Sequence, residues 1–357
     1  MLRKLRKRLT VCLIVLSMMV CISCGNHVVD IQTEPTEPTV PIEPTIQIEP
    51  TIQTEPTVSI KPTVQVEPVE QTDTTINIRK EEVSVPGLTK EHRIFFFADS
   101  HISMCDERDA VIMEKAKDRE TSFSFEGILP QDRFDSLIDY AKTSDFEMVI
   151  LGGDILDSAM YSSIEHVENK LGELSSPFMM IMGNHDFEYG SEYFSEEAYN
   201  TYLPRLANIN PDHSFLYEIY ETDELIYFTL DDCSNRIDSS ALEAFKQEIT
   251  KGKPIVVALH VPIEPVENSE KTLIEKCIEV WGASDTGKSR VTLGVNGCYP
   301  DKTTKEFINL VTAEDSPVVL VLAGHIHFYH KDILNDDTLQ LVTGAAYEGE
   351  AIEITLK

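Results

Sequence analysis

The sequence predicts an α/β layered fold, and two patterns predict it. From about residue 93 onward, short apolar runs of strand length alternate with stretches of helical periodicity, the pattern of strands joined by helices. Five of the apolar runs end in Asp, Asn or His, just past the strand carboxyl ends, where open α/β sheets gather their ligands. Neither pattern is seen before residue 90. Three segments are therefore expected: a signal peptide over 1–23, a stalk or linker over 24–90, and one folded domain over 91–357.

The chain of 357 residues opens with Arg3, Lys4, Arg6, Lys7 and Arg8, followed by a mostly apolar stretch from Leu9 to Val20. That stretch has the length of a signal-peptide core and is short for a membrane span. Cys21-Ile-Ser-Cys24-Gly25 resembles the bacterial lipoprotein signal, with Cys21 standing where Leu is usual. The resemblance implies cleavage before Cys24 and diacylglycerol on its sulfur, a lipid anchor on the extracytoplasmic face of the cell membrane. Each buried acyl methylene adds about 0.8 kcal/mol of membrane affinity.

Between residues 31 and 71, Pro38, Pro44, Pro50, Pro56, Pro62 and Pro68 recur at a regular interval, mostly within Glu-Pro-Thr. Proline fixes φ and removes a backbone donor, so this segment cannot build a helix or sheet core. As an extended polyproline-like spacer it could reach on the order of 100 Å. The alternative is a linker of no defined length.

The formal net charge is −31, and more negative still once the basic leader is removed. Such a surface argues against nucleic acid, which binds a basic stripe, and against adhesion to anionic lipid. It leaves room for an anionic substrate at a metal site, where the ions' own charge sets the local field. Of the cysteines, Cys12 and Cys21 leave with the leader and Cys24 is the lipidation site. Cys105, Cys233, Cys277 and Cys298 remain, without CxxC spacing, so a thiolate zinc site is not expected. An exported chain can form disulfides, and Cys277 with Cys298 is one pairing the sequence allows.

Within the domain, strands are expected at 93–98, 146–151, 177–182, 215–220, 225–230, 254–259, 318–323, 332–334, 339–343 and 351–356. Helices are expected at 132–142, 164–174, 192–206, 239–249, 272–280 and 304–312, with Trp281 in a polar loop after the fifth of them. The five exits carry Asp99 and His101; Asp154; Asn184 and His185; His260; and His325 and His327. In extended chain, residues two apart point to the same side, so Asp99 and His101 are expected to converge. As mere packing, so many polar groups at buried strand ends would each need a partner of their own. Oxygen and imidazole donors without thiolate suit Mn²⁺, Fe or Zn²⁺. The donors are too many for one tetrahedral ion, so two divalent metal ions are expected about 3.5–4 Å apart, with Asp154 as the bridge. Gly152 and Gly153 would let the backbone turn sharply there.

Asp99-Ser-His101, Gly153-Asp154-Ile-Leu-Asp157, Gly183-Asn184-His185-Asp186, His260 and Gly324-His325-Ile-His327, in this order, resemble the signature blocks of the calcineurin-like metallophosphoesterase superfamily over roughly residues 93–330. The resemblance implies a four-layer α/β/β/α sandwich with mixed sheets and a two-metal site at the strand carboxyl ends. It implies one metal on Asp99, His101, Asp154 and His327, and another on Asp154, Asn184, His260 and His325. His185 would contact the substrate phosphate and protonate the leaving oxygen, with Asp157 or Asp186 orienting it or a ligand from behind. Phosphate esters resist attack because negative oxygens shield the phosphorus. Two dications neutralise that charge and make a bridging hydroxide available.

Departures narrow the subclass. Asp157 stands where purple acid phosphatases have a tyrosine ligand. Ser158 stands where protein Ser/Thr phosphatases carry a phosphate-clamping Arg, and no Arg replaces it nearby in the sequence. The interval from His101 to Asp154 is longer than the family's usual spacing, so residues 104–130 read as an insertion near the mouth of the site: a specificity lid, or a surface excursion without a role. Trp281 and the 283–299 loop, with Lys288 and Arg290, are further candidates to line the site. The expectation is a membrane-anchored monomer acting on a small-molecule phosphate ester, with diesters favoured over monoesters. The alternatives are a nuclease of the same superfamily and a non-catalytic surface binding module.

Overall fold

A strand that the linker reading did not anticipate opens the fold. In the computed structural model, which describes residues 75–357 apart from 190–194, 210–213, 266–272, 282–290, 295–300 and 336–337, strand β1 (Asn77–Val83) pairs in parallel with the last strand of the chain, Glu350–Leu356. Ile78, Val83 and the following Val85 are buried. The domain therefore begins ahead of residue 91, and the segment assigned to a linker over 24–90 ends before β1. Charged residues occupy most of β1 because it is an edge strand with one covered face. The leader, Cys24 and the proline repeat lie outside the described residues, as do Lys288, Arg290 and Cys298, and with Cys298 its pairing to Cys277.

The remaining elements follow in order: β2 (His92–Phe97), α1 (Met113–Ser122), α2 (Pro130–Thr143), β3 (Met148–Gly152), α3 (Tyr161–Leu171), β4 (Phe178–Ile181), α4 (Glu196–Leu206), β5 (Tyr217–Glu221), β6 (Ile226–Leu230), α5 (Ser239–Ile249), β7 (Ile255–Ala258), α6 (Leu273–Trp281), α7 (Lys302–Val311), β8 (Val318–Ala323), β9 (His330–Ile333), β10 (Leu339–Val342) and β11 (Glu350–Leu356). Helix α1 falls inside the 104–130 excursion, and Trp281 closes α6 rather than sitting in a loop. Local chemistry starts several helices. Pro130 occupies the first turn of α2, where its missing N–H is no loss. Asp238 and Asp301 accept backbone N–H bonds at the heads of α5 and α7, satisfying donors the helix leaves over.

The strands form two mixed sheets, β1-β11-β2-β3-β4 and β5-β6-β7-β8-β10-β9. In the first, β2, β3 and β4 run parallel; in the second, β6, β7, β8 and β10 do. Strand β2 shows how the layers arise. Phe95 and Phe97 pack with Phe134, Leu137 and Ile138 of α2 and with Ile164 and Val167 of α3. The alternate residues Ile94 and Phe96 pack against Tyr227, Val256, Leu320 and Leu322 of the other sheet. That sheet's far face buries Phe228, Val257 and Val321 against Phe245, Cys277 and Phe307 of its helices. The order helix, sheet, sheet, helix is the four-layer α/β/β/α sandwich. A strand covered on both faces must be apolar throughout, and each fully buried Phe contributes about 1.5–3 kcal/mol.

Candidate metal centre

The five exits carry their polar residues to one end of the two sheets. Strand β2 stops at Phe97, β3 at Gly152, β4 at Ile181, β7 at Ala258 and β8 at Ala323. Beyond them the backbone is left-handed at Asp99 (φ 60°), His101 (47°), Asp154 (49°), His325 (73°) and His327 (59°). Convergence of Asp99 with His101 thus comes from two left-handed residues flanking Ser100, not from extended chain. The pair His325 and His327 repeats the device. Non-glycine residues rarely adopt this conformation, and where they do the surroundings must impose it.

Those surroundings are specific. Asp99 donates its N–H to Gly153 O at 2.9 Å, and His101 donates to Asp154 O at 3.0 Å. The His325 N–H donates to Asp99 Oδ2 at 2.9 Å, and the His185 N–H to Asp154 Oδ1 at 2.7 Å. Buried Asp186 accepts from the N–H groups of Gly183 (2.7 Å), Leu156 (2.8 Å) and Asp154 (3.0 Å). It ties the β3 exit to the β4 exit and acts on the Asp154 backbone, not on the His185 ring. Asp232 accepts from His260 N–H at 2.9 Å and holds the β7 exit. Gly153, at φ 91°, approaches so closely that a Cβ there would lie 2.5 Å from His260 Nδ1.

Three groups result, each with its ligand atoms within 4.8 Å of one another: Asp99, His101 and His327; His101, Asp154 and His185; Asp154, His260 and His325. Asp99, His101, Asp154 and His260 are buried, and the others half-buried. Asn184 sits one residue before His185, half-buried, its side chain making no capping bond to the short helical turn there. Imidazole nitrogens face one another across short gaps. His101 Nε2 lies 3.1 Å from His327 Nε2, and His260 Nε2 lies 3.2 Å from His325 Nδ1. Buried Asp99 Oδ1 lies 3.4 Å from His327 Nε2. Lone-pair donors turned toward one another suit a cation, and the donors are imidazole and carboxylate, as divalent Mn, Fe or Zn prefer.

The electrostatics agree. Burial opposes a charged His260, yet the Asp154 and Asp99 carboxylates push it up to about 10. A site that holds a proton so strongly has negative charge to offer a cation. His101 is driven the other way, to about 4, by burial and by the neighbouring His185 and His327. It therefore presents a neutral ring. Its Nδ1 lies 3.3 Å from Asp157 Oδ1, which fixes the tautomer and leaves Nε2 as the donor toward a cation. His185 Nδ1 lies 3.4 Å from the same Asp157 oxygen and from Glu188 Oε2. Burial works against its charge, but Asp154, Asp157 and Glu188 raise it to about 9 in the metal-free site.

Sequence reasoning missed the groups that the excursion supplies. Arg119 of α1 grips Asp157 with two bonds, Nε to Oδ2 at 2.8 Å and Nη2 to Oδ1 at 2.6 Å. Against the cost of burial, these bonds, with those from His101 and His185, hold Asp157 far below the usual carboxylate range. Phe123 stacks on the His101 ring, centroids 4.1 Å apart and planes 8° apart. Tyr347 meets the edges of Phe123 and His327. An Arg does therefore stand beside Asp157, brought from 38 residues upstream, where a search of the neighbouring sequence could not find it. The excursion is pinned by buried Asp109, which accepts from Tyr161 N–H at 2.8 Å, Tyr189 Oη–H at 2.7 Å and Arg205 Nη1 at 3.2 Å.

A family model described as calcineurin-like phosphoesterase matches residues 92–329. Among solved structures, a dimetal phosphatase from Danio rerio is similar at 11% identity and a TM-score of 0.45, over 72% of this chain and 88% of that one. Purple acid phosphatase PPD1 from yellow lupin is similar at 10% identity and a TM-score of 0.44, over 75% of this chain and 46% of that one. Phosphopantetheinyl hydrolase from Mycobacterium tuberculosis is similar at 10% identity and a TM-score of 0.39, over 73% and 92%. No curated protein matches.

Proposed function

The chain belongs to the calcineurin-like phosphoesterase family, and we propose that it is an exported, lipid-anchored hydrolase of small-molecule phosphate esters that works with two divalent cations. The observation that carries the reading is a pair of clusters of facing ligand atoms, Asp99 with His101 and His327 and Asp154 with His260 and His325, with Asp154 also grouped with His101. Asp99, His101, Asp154 and His327 would hold one cation, and Asp154, Asn184, His260 and His325 the other. When bound, the cations neutralise the phosphate oxygens and make hydroxide available at neutral pH.

The chain's own residues do the rest. His185, protonated and partly exposed at the rim of the cluster, donates its proton to the departing ester oxygen. Asp157 and Glu188 hold that ring and sustain its charge. Asp186 and Asp232 hold the backbone at the β3, β4 and β7 exits. The leader residues through Cys24 support the anchor, and the proline repeat supports a spacer lifting the domain off the membrane.

The test is metal content together with hydrolysis of a nitrophenyl monoester and a bis-nitrophenyl diester in added Mn²⁺, with Asp154→Asn as control. The expected result is two metals per chain and turnover that is lost with the metal in D154N, the better substrate choosing between diester and monoester. No metal and no turnover in the wild type would overturn the reading. Full activity in D154N would overturn the bridge.

A further inference from the structure

We infer that Arg119 and Phe123, both on the excursion after β2, are positioning residues of the site: the Arg119 bonds fix Asp157, the Phe123 face fixes His101, and the two grips meet at Asp157 Oδ1. That oxygen receives Arg119 Nη2 at 2.6 Å and faces His101 Nδ1 at 3.3 Å and His185 Nδ1 at 3.4 Å. The Arg119 guanidinium also lies 4.7 Å from the Phe123 ring centre. Arg119, Phe123, His101, Asp157 and His185 thus form one contact chain.

The geometry of each link has a reason. A planar guanidinium binding both carboxylate oxygens sets the plane of that carboxylate, which a point charge does not. Once the plane is set, the bond from His101 Nδ1 sets the tilt of its ring, and the parallel Phe123 ring prevents rotation out of it. The role of α1 follows from this. Its only buried side chain is Ala116, so it adds little to the core, and it is placed by these contacts together with hydrogen bonds from Ser103 Oγ to Ala116 O at 3.0 Å and from Gln131 Nε2 to Glu120 at 2.9 Å. The excursion is therefore part of the ligand scaffold, neither a lid nor a surface loop without a role.

This rests on the proposed reading of the site, and the test separates the two. In the full chain, R119M, R119K, F123L and F123Y are compared with wild type for kcat and KM on bis-nitrophenyl phosphate with Mn²⁺. The imidazole N–H spectrum of each is recorded metal-free, and thermal melting confirms the fold. Outer partners of this kind typically carry about 10- to 100-fold in activity or metal affinity. R119M and F123L should lose at least about tenfold in kcat with KM within about twofold. R119K should recover little, because Lys cannot bind both oxygens, and F123Y should recover most of what F123L loses. The exchange-protected His101 Nδ1–H signal should vanish in R119M and F123L. Unchanged kcat overturns the inference, and so does a rise in KM alone, which would make Arg119 a substrate contact. If the wild type neither binds Mn²⁺ nor hydrolyses, the functional reading fails and the metal-free spectrum decides: a persistent His101 signal in both variants overturns positioning.

Discussion

Replacing Gly183 by Ala should disable the site at a small cost in stability. An added Cβ would lie 2.2 Å from Asp154 Oδ1 and 2.5 Å from Asp154 N, against the 3.0 Å below which real Cβ contacts essentially never fall. Asp154 has no easy retreat. Asp186 clasps the N–H groups of both Gly183 and Asp154, and Asp154 Oδ1 accepts from His185 N–H. Relief therefore requires parting the β3 exit from the β4 exit by most of an ångström. Overpacking of this kind costs about 1–3 kcal/mol, or roughly 2–4 °C of melting temperature per kcal/mol in a domain of this size. A displacement of about 1 Å in a reacting geometry costs on the order of 100-fold in rate. The assay is thermal melting beside bis-nitrophenyl phosphate hydrolysis in Mn²⁺. A variant that melts with the wild type and retains its activity would refute the claim that this close approach sets the position of Asp154.

His185→Ala should keep its metals and lose most turnover; an equal loss of metal, read by elemental analysis, would make His185 a ligand. As an acid His185 acts protonated, so kcat should fall as pH rises through its pKa, about 9 in the metal-free site and lower once cations repel its charge; the limb should be missing from the profile of the variant. Cys24→Ser should move the protein from the membrane fraction to the medium, and retention on the membrane would refute the lipid anchor. Deleting residues 25–72 should leave melting unchanged, whereas extending the deletion through Val83 removes buried Ile78 and Val83 and should cost at least about 3 kcal/mol; equal melting of the two deletions would remove β1 from the domain.

What the sequence disclosed depended on how completely each element is buried. Strands β2, β3, β7 and β8 are covered on both faces, so they read as unbroken apolar runs with their polar residues stacked at one end. Strand β1 has one covered face and a charged one, so Asn-Ile-Arg-Lys-Glu-Glu-Val reads as the end of a linker. Helix α1 has almost no apolar stripe, because polar contacts of Arg119, Glu120 and the Ala116 carbonyl place it more than a core does. Its partner Asp157 lies across β2 and β3, a relation fixed by the pairing of those strands and carried by no local motif. Asp186 sits beside His185 in sequence yet serves the backbone of Asp154, since its side chain reaches the N–H groups before it reaches the ring. Adjacency in sequence does not disclose which groups Asp186 touches.

The left-handed residues show how the site keeps its shape. Among the described residues, Asp99, His101, Asp154, His325 and His327 make up five of the seven non-glycine positions with positive φ. Each such position costs about 1–3 kcal/mol, a large expense to concentrate at one end of two sheets. The cost is sustained chiefly by backbone N–H bonds that tie the exits together: Asp99 and His101 on the β3 exit, Gly183 and Asp154 on Asp186, and His325 on the Asp99 carboxylate. None of these bonds needs a ligand atom of His101, His260 or His327. The backbone thus fixes the directions of these side chains, and the carboxylates of Asp154 and Asp99 raise the proton affinity of buried His260 against the cost of burial. On the proposed reading, bound cations would offset these carboxylates, and His185 would add its own positive charge toward an anionic substrate.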